Sequence, residues 1–289
     1  MGHTTYNCLL VWGRASVEVR GTSVRGGATV DGRVAAGVRY HTYGPGRGGT
    51  FLLVHGWCGD HTYLEPVARH LAARPARVIA VDMPGHGDSQ PSPDGYGVDQ
   101  MGGHLRALAE ALDLRRVTVI GHSLGGVWSL AAAAADRSRF TGLVMLDSAV
   151  AGPPGAADAI GEVAESLRDD TSGTAREQIV RSYFRPYSEP RLVERVVRAM
   201  GRPSTEIAYE PIAGLAAYVR QGGDVAALTT WARPLLMVGT DQPFSDYAHL
   251  TRLVPESHIG QTAGSGHFVQ LEVPEQVNAM IDRYLEITR

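Results

Sequence analysis

One serine, one histidine and a choice of acids are the groups in this chain whose types and spacing could do chemistry. Val117-Thr-Val-Ile-Gly121-His122-Ser123-Leu124-Gly125-Gly126 contains Gly-x-Ser-x-Gly. With 35 glycines in the chain, the five-residue pattern alone is weak. A β-branched strand before it and a helix-like run after it, Val127–Ala135, raise it to a nucleophile elbow, in which both glycines allow close backbone approach. A serine hydroxyl attacks poorly until a base takes its proton, so a histidine must reach it in space. The chain order expected of such an elbow is Ser, acid, His. Only His249, His258 and His267 lie far enough downstream. His267, in Ala263-Gly-Ser-Gly-His267-Phe268, falls between a strand-like Ser257–Thr262 and a helix opening at Pro274. His258 reads as the start of that strand and His249 as a solvent-facing helical residue.

The acid should follow a strand. Asp241, in Leu235-Leu-Met-Val-Gly239-Thr240-Asp241, is favoured, 26 residues before His267. Asp147, ending Leu143-Val-Met-Leu, remains the alternative, and Asp246 is an outsider. Either of the first two could hold the histidine tautomer, because the role needs a buried carboxylate rather than a particular strand. An oxyanion needs two backbone donors. The Leu124 amide is one; Trp57, in Phe51-Leu-Leu-Val-His55-Gly56-Trp57-Cys58-Gly59, is the natural second. Cys58 reads as a small packed residue, and Ala80-Val-Asp82-Met-Pro-Gly85-His86-Gly87-Asp88-Ser89 as a structural turn.

The elements that must position these groups are short apolar strands alternating with helices. Phe51–Val54, Arg77–Val81, Val117–Ile120, Leu143–Leu146 and Leu235–Val238 read as buried strands. Tyr63–Arg74, Asp99–Leu112 and the segment after Ser123 read as helices. The expected fold class is α/β, a mostly parallel doubly wound sheet. Upstream, Asp31-Gly32 is expected to turn a hairpin between Ala28–Val30 and Val34–Tyr43. Residues 150–228 break the alternation and show only helical periodicity, so they are expected to form a helical cap between core segments 28–149 and 229–289. Residues 1–27 have no place in this scheme.

Composition closes off several classes. A net charge of −3 and a pI near 6.4 lack the basic footprint of a nucleic-acid binder. All 27 basic residues are Arg, which removes Schiff-base and Walker-lysine chemistry. The two cysteines, Cys8 and Cys58, have neither disulfide-framework nor zinc-ligand spacing. No signal peptide or membrane-length apolar run is visible, so a cytoplasmic protein is expected.

Together, His55-Gly56, Asp82-x-Pro-Gly-x-Gly-x-Ser89, Gly121-His-Ser-x-Gly-Gly126, Asp241 and Gly266-His267-Phe268 resemble the α/β-hydrolase superfamily, in its serine-nucleophile, helical-cap subfamily. The resemblance runs from about Ala28 to Leu285. The acid motif departs from the usual pattern, since one residue separates Gly239 from Asp241 where relatives often have two or three. The resemblance implies acyl transfer to water through Ser123 and His267, with no cofactor or metal. A small to medium, mainly apolar ester or lactone is the expected substrate. Trp57, Tyr183, Phe184, Tyr187 and Phe268 are candidates to line its pocket. Serine at the elbow argues against dehalogenase and epoxide-hydrolase relatives, whose nucleophile is Asp. His122, where carbon–carbon bond hydrolases often carry Asn, makes those a secondary option. A ligand-binding receptor on the same fold, discriminated by slow turnover, and an acyltransferase, discriminated by an added acceptor, are the competing readings.

Overall fold

The structure, a computed structural model, describes residues 32–46 and 48–288. The expectations for residues 1–27 and Ala28–Val30 lie outside the described residues. Eight strands form one sheet: β1 Gly32–Ala35, β2 Val38–Tyr43, β3 Thr50–Val54, β4 Arg77–Asp82, β5 Val117–His122, β6 Phe140–Leu146, β7 Leu236–Gly239 and β8 His258–Gln261. Their order is β1-β2-β4-β3-β5-β6-β7-β8. β1, β2 and β4 pair antiparallel, and every pairing from β4 through β8 is parallel. The α/β class expected from the sequence is the one observed.

Period-two alternation explains why both faces of this sheet are covered. Leu52, Val54, Ile79, Val81, Val119, Leu143 and Met145 enter one apolar core. Their neighbours Phe51, Leu53, Val78, Ala80, Ile120, Val144 and Leu146 enter the other. Successive strand side chains point to opposite faces, so a strand apolar at every position needs helices on both sides. Helices α1 (Glu65–Ala72), α2 (Val98–Ala111) and α3 (Leu124–Ala135) follow β3, β4 and β5. Five helices separate β6 from β7: α4 (Ala156–Leu167), α5 (Thr174–Ser182), α6 (Pro190–Met200), α7 (Thr205–Arg220) and α8 (Gly223–Trp231). The chain closes with α9 (Tyr247–Leu253), α10 (Val269–Glu272) and α11 (Pro274–Ile287). α11 starts with Pro at its first turn, where the missing N–H costs nothing.

Two details differ from the sequence reading. The hairpin turns at Ala36-Gly37, with φ of 47° and 76°, between Ala35 and Val38. Gly32 is already paired with His41 and so takes no part in the turn, while Asp31 lies outside the described residues. Two central residues at positive φ make a tight turn that matches strand twist, and here Ala takes the first such position in place of the Asp or Asn that the sequence signal relies on. In addition, α8 runs past residue 228 to Trp231, and both Leu228 and Trp231 are fully buried.

Candidate active site

Register brings the candidate groups to one edge. β3 lies beside β5 with Val54 opposite Gly121, so His55-Gly56-Trp57 leaves the sheet next to Ser123. β6 flanks β5 on the other side with Leu146 opposite His122, so Asp147 emerges next to the elbow. Loops beyond the carboxyl ends of parallel strands form the crevice where such sheets place their sites.

Ser123 sits at φ 54° and ψ −127°, a conformation L-residues rarely adopt. The strain is maintained by packing that only glycine permits. A Cβ on Gly121 would meet the Gly125 carbonyl oxygen at 2.4 Å; one on Gly125 would meet the His55 carbonyl oxygen at 2.1 Å. The Gly-x-Ser-x-Gly spacing is therefore the imprint of a helix start pressed against two strand ends. Cys58 (φ 51°) and Asp147 (φ 46°) are strained in the same sense, so three positive-φ residues cluster at this edge.

His267 Nδ1 lies 2.8 Å from Asp147 Oδ2, with both side chains buried. A carboxylate can only accept, so Nδ1 carries the proton and Nε2 is left with its lone pair. Asp241, favoured by the sequence, is elsewhere. Its carboxylate is 65% exposed and pairs with Arg185 Nη2 at 2.6 Å, while Gln242 takes Arg185 Nη1 at 2.7 Å. Spacing along the chain could not distinguish the ends of two adjacent strands. β7 ends at Gly239 and the next buried residue, Thr240, receives the Gln242 amide, which turns Asp241 outward. Asp246 caps α9 by accepting the His249 amide. His249 lies on α9 and His258 opens β8, as expected.

The Leu124 N–H opens α3 and the Trp57 N–H lies in the loop after β3; among the described residues neither donates to a protein acceptor. Trp57 also ties its loop to α7, because its indole Nε1–H donates to the Ala208 carbonyl at 2.8 Å. Tyr183 stacks obliquely on His267 with ring centres 4.7 Å apart, and its carbonyl accepts the His267 N–H at 2.8 Å. Gly266 makes this approach possible, since a Cβ there would meet that carbonyl at 2.2 Å. Phe184 stacks on Phe268 at 5.0 Å. α5 ends at Ser182, so Tyr183 and Phe184 lie in its terminal turn, not on its face. Tyr187 is 63% exposed and makes no ring contact with this cluster among the described residues.

Phe244 escaped the sequence reading, and His122 entered it only as a mark of substrate class. Phe244 packs edge-on against His267, centroids 5.1 Å apart, and only a loop position after Pro243 could have hinted at it. His122 donates from Nε2 to the His267 carbonyl at 3.0 Å, and its ring centre is 4.6 Å from that of His267. Burial drives His122 well below the usual histidine range, reinforced by His267, so it is a neutral tie between elbow and histidine loop. Cys58 is pushed up to about 12 by burial against the pull of Arg176, which keeps its thiol protonated. The Asp82 turn is structural as expected: its carboxylate accepts from the His61 and Asp88 amides.

Comparison with known proteins places the chain among relatives of the same fold. The chain is 29% identical over 266 residues to the dihydrolipoyllysine-residue acetyltransferase component of the acetoin cleaving system of Pseudomonas putida, covering 89% of this chain and 68% of that one. It is 27% identical over 263 residues to a 2-hydroxy-6-oxo-2,4-heptadienoate hydrolase of Pseudomonas putida, covering 83% and 90%. Its fold matches a thermophilic esterase from Thermogutta terrifontis with a TM-score of 0.74 at 25% identity, over 87% of this chain and 94% of that one. A family model described as alpha/beta hydrolase fold matches residues 49–274, a span holding the elbow, the histidine loop and both candidate acids. By sheet, elbow and that match alike, the chain belongs to the alpha/beta hydrolase fold family.

Proposed function

We propose that this chain is a serine hydrolase in which Ser123, His267 and Asp147 form the triad. The observation that carries the reading is the buried 2.8 Å contact from His267 Nδ1 to Asp147 Oδ2, one strand from the strained serine. Ser123 Oγ attacks a substrate carbonyl while His267 Nε2 takes its proton. The Trp57 and Leu124 N–H groups hold the oxyanion. The leaving alcohol recovers the proton from His267, and water then cleaves the acyl-enzyme by the same sequence. Tyr183, Phe244 and Phe268 surround His267 with apolar surface, extended by Phe184 stacked on Phe268, which suits a small to medium, mainly apolar ester or lactone.

Carbon–carbon bond hydrolysis is the second reading, supported by the similarity to the 2-hydroxy-6-oxo-2,4-heptadienoate hydrolase of Pseudomonas putida over most of this chain. Intact mass after fluorophosphonate treatment tests the machinery without knowledge of the substrate. One adduct is expected on the wild type and none on Ser123→Ala, with His267→Ala labelling slowed by at least about a thousandfold. An unlabelled, folded wild type would overturn the proposal. Ester, lactone and dienoate substrates then divide the two readings.

A further inference from the structure

Apart from the triad, His41, His61 and Asp82 form a polar cluster in which one buried imidazole has no hydrogen-bond partner among the described residues. They come from three separate elements: β2, the 3-10 turn His61–Leu64 that follows the Trp57 loop, and the end of β4. His61 Nδ1 lies 2.8 Å from Asp82 Oδ1, and His41 Nε2 lies 3.7 Å from Asp82 Oδ2. One nitrogen or oxygen from each residue falls within 4.8 Å of the others. His41 is only 7% exposed, yet neither of its ring nitrogens has a hydrogen-bond partner among the described residues. Its ring is stacked on that of His61, centroids 3.5 Å apart and planes 17° apart. A buried imidazole without a partner, facing a second imidazole and a carboxylate, is an arrangement that calls for a shared cation. A cavity of about 340 Å³, lined by His61, Asp82, Asp60, Asp88 and Cys58, opens onto the cluster.

We propose that His41, His61 and Asp82 form a binding site for a divalent transition-metal ion of the zinc type. Two imidazoles and one carboxylate are a donor set suited to zinc, whereas magnesium and calcium favour oxygen ligands throughout. Ligands about 2.0–2.2 Å from one ion must sit closer together than these do. The His61 ring therefore turns out of the stack so that its nitrogen converges with that of His41. Its partly exposed place on the cavity wall allows this, while His41 stays fixed under Gly32 of β1. Zinc then replaces the proton on His61 Nδ1, which leaves to solvent. Asp82 coordinates through Oδ1 and keeps Oδ2 on the Asp88 amide. A fourth position faces the cavity and takes water. The ion would join β2, β4 and the turn that continues from the Trp57 loop, stiffening that loop from behind.

The test uses the full chain freed of metal by chelator, with zinc chloride titrated by calorimetry and cobalt chloride followed by visible absorption. One zinc per chain, a rise in melting temperature at saturating zinc and a tetrahedral cobalt spectrum are expected. His41→Gln and His61→Gln should each weaken zinc binding by about tenfold or more and leave fluorophosphonate labelling of Ser123 intact. Asp82→Asn is avoided, since Asp82 also holds its own turn. A wild type that binds no zinc overturns the proposal, as does equal affinity in either variant. Displacement of zinc by equimolar calcium or magnesium also overturns it.

Discussion

Asp147 and Asp241 occupy loops one strand apart and have opposite surroundings, which makes their roles separable. Asp147 is buried against His267, whereas Asp241 is two-thirds exposed and bound to Arg185. Asp147→Asn keeps the shape but offers His267 an amide, which permits the wrong tautomer. The expected loss in kcat is on the order of 10⁴, with KM little changed. Asp241→Asn should retain most of the turnover, because it weakens only a partly exposed ion pair between the loops after α5 and β7. Steady-state kinetics on any ester that labels Ser123 would decide; equal losses in both variants would remove Asp147 from the triad. The elbow and the histidine loop were legible in the sequence because Gly121 and Gly125 flank Ser123, and Gly266 just before His267 allows a close backbone approach. Asp147 was legible only as an alternative, since neither its carboxylate nor that of Asp241 carries a local mark of which strand end reaches the histidine. His122 and Phe244 act through contacts with a loop more than a hundred, or more than twenty, residues away in the chain, which no local pattern encodes.

The strands were readable because a segment apolar at every position can only lie inside a sheet covered on both sides. The same residues divide cleanly between the two cores. The hairpin was misread because its turn uses Ala36 in a left-handed conformation, where a sequence argument looks for Asp, Asn or Gly. The seating of α3 gives a sharp expectation. Gly125 lies so close to the end of β3 that a methyl group would fall 2.1 Å from the His55 carbonyl oxygen and 2.5 Å from that of Val54, both backbone atoms unable to yield cheaply. Gly125→Ala should therefore cost about 1–3 kcal/mol or more through overpacking, and should displace the Leu124 amide from the oxyanion position. Thermal melts and labelling rates measure the two effects, and a variant with unchanged melting would show that the elbow can relax.

The molecule as a whole buries several histidines in neutral form, and that sets its response to acid. His55 accepts the Met83 amide on Nε2, and His86 lies against the Pro84 carbonyl through Nδ1. Burial, with His55 adding to it, pushes His86 from 6.5 down to about 3. Burial lowers His55 as well. The unfolded chain takes up these protons more readily than the folded one. Stability is therefore fully present above about 6.5 and is lost as pH falls from there toward about 3, with His86 alone contributing on the order of 4 kcal/mol at the bottom of that window. Melting temperature should fall between pH 7 and pH 4, and less steeply in His86→Gln. A parallel slope in that variant would assign the acid sensitivity to other groups. No described helix is long and apolar enough to cross a membrane.

In the proposed mechanism Trp57 offers its main chain to the reacting carbonyl, and its ring nitrogen donates to the Ala208 carbonyl of α7. An indole in that position is an optical reporter built into the joint between the loop after β3 and α7. If α7 lifts to admit substrate, water replaces the carbonyl on the ring nitrogen and the emission shifts to longer wavelength. Trp128 and Trp231, fully buried in the core, supply a steady background against which that change stands out.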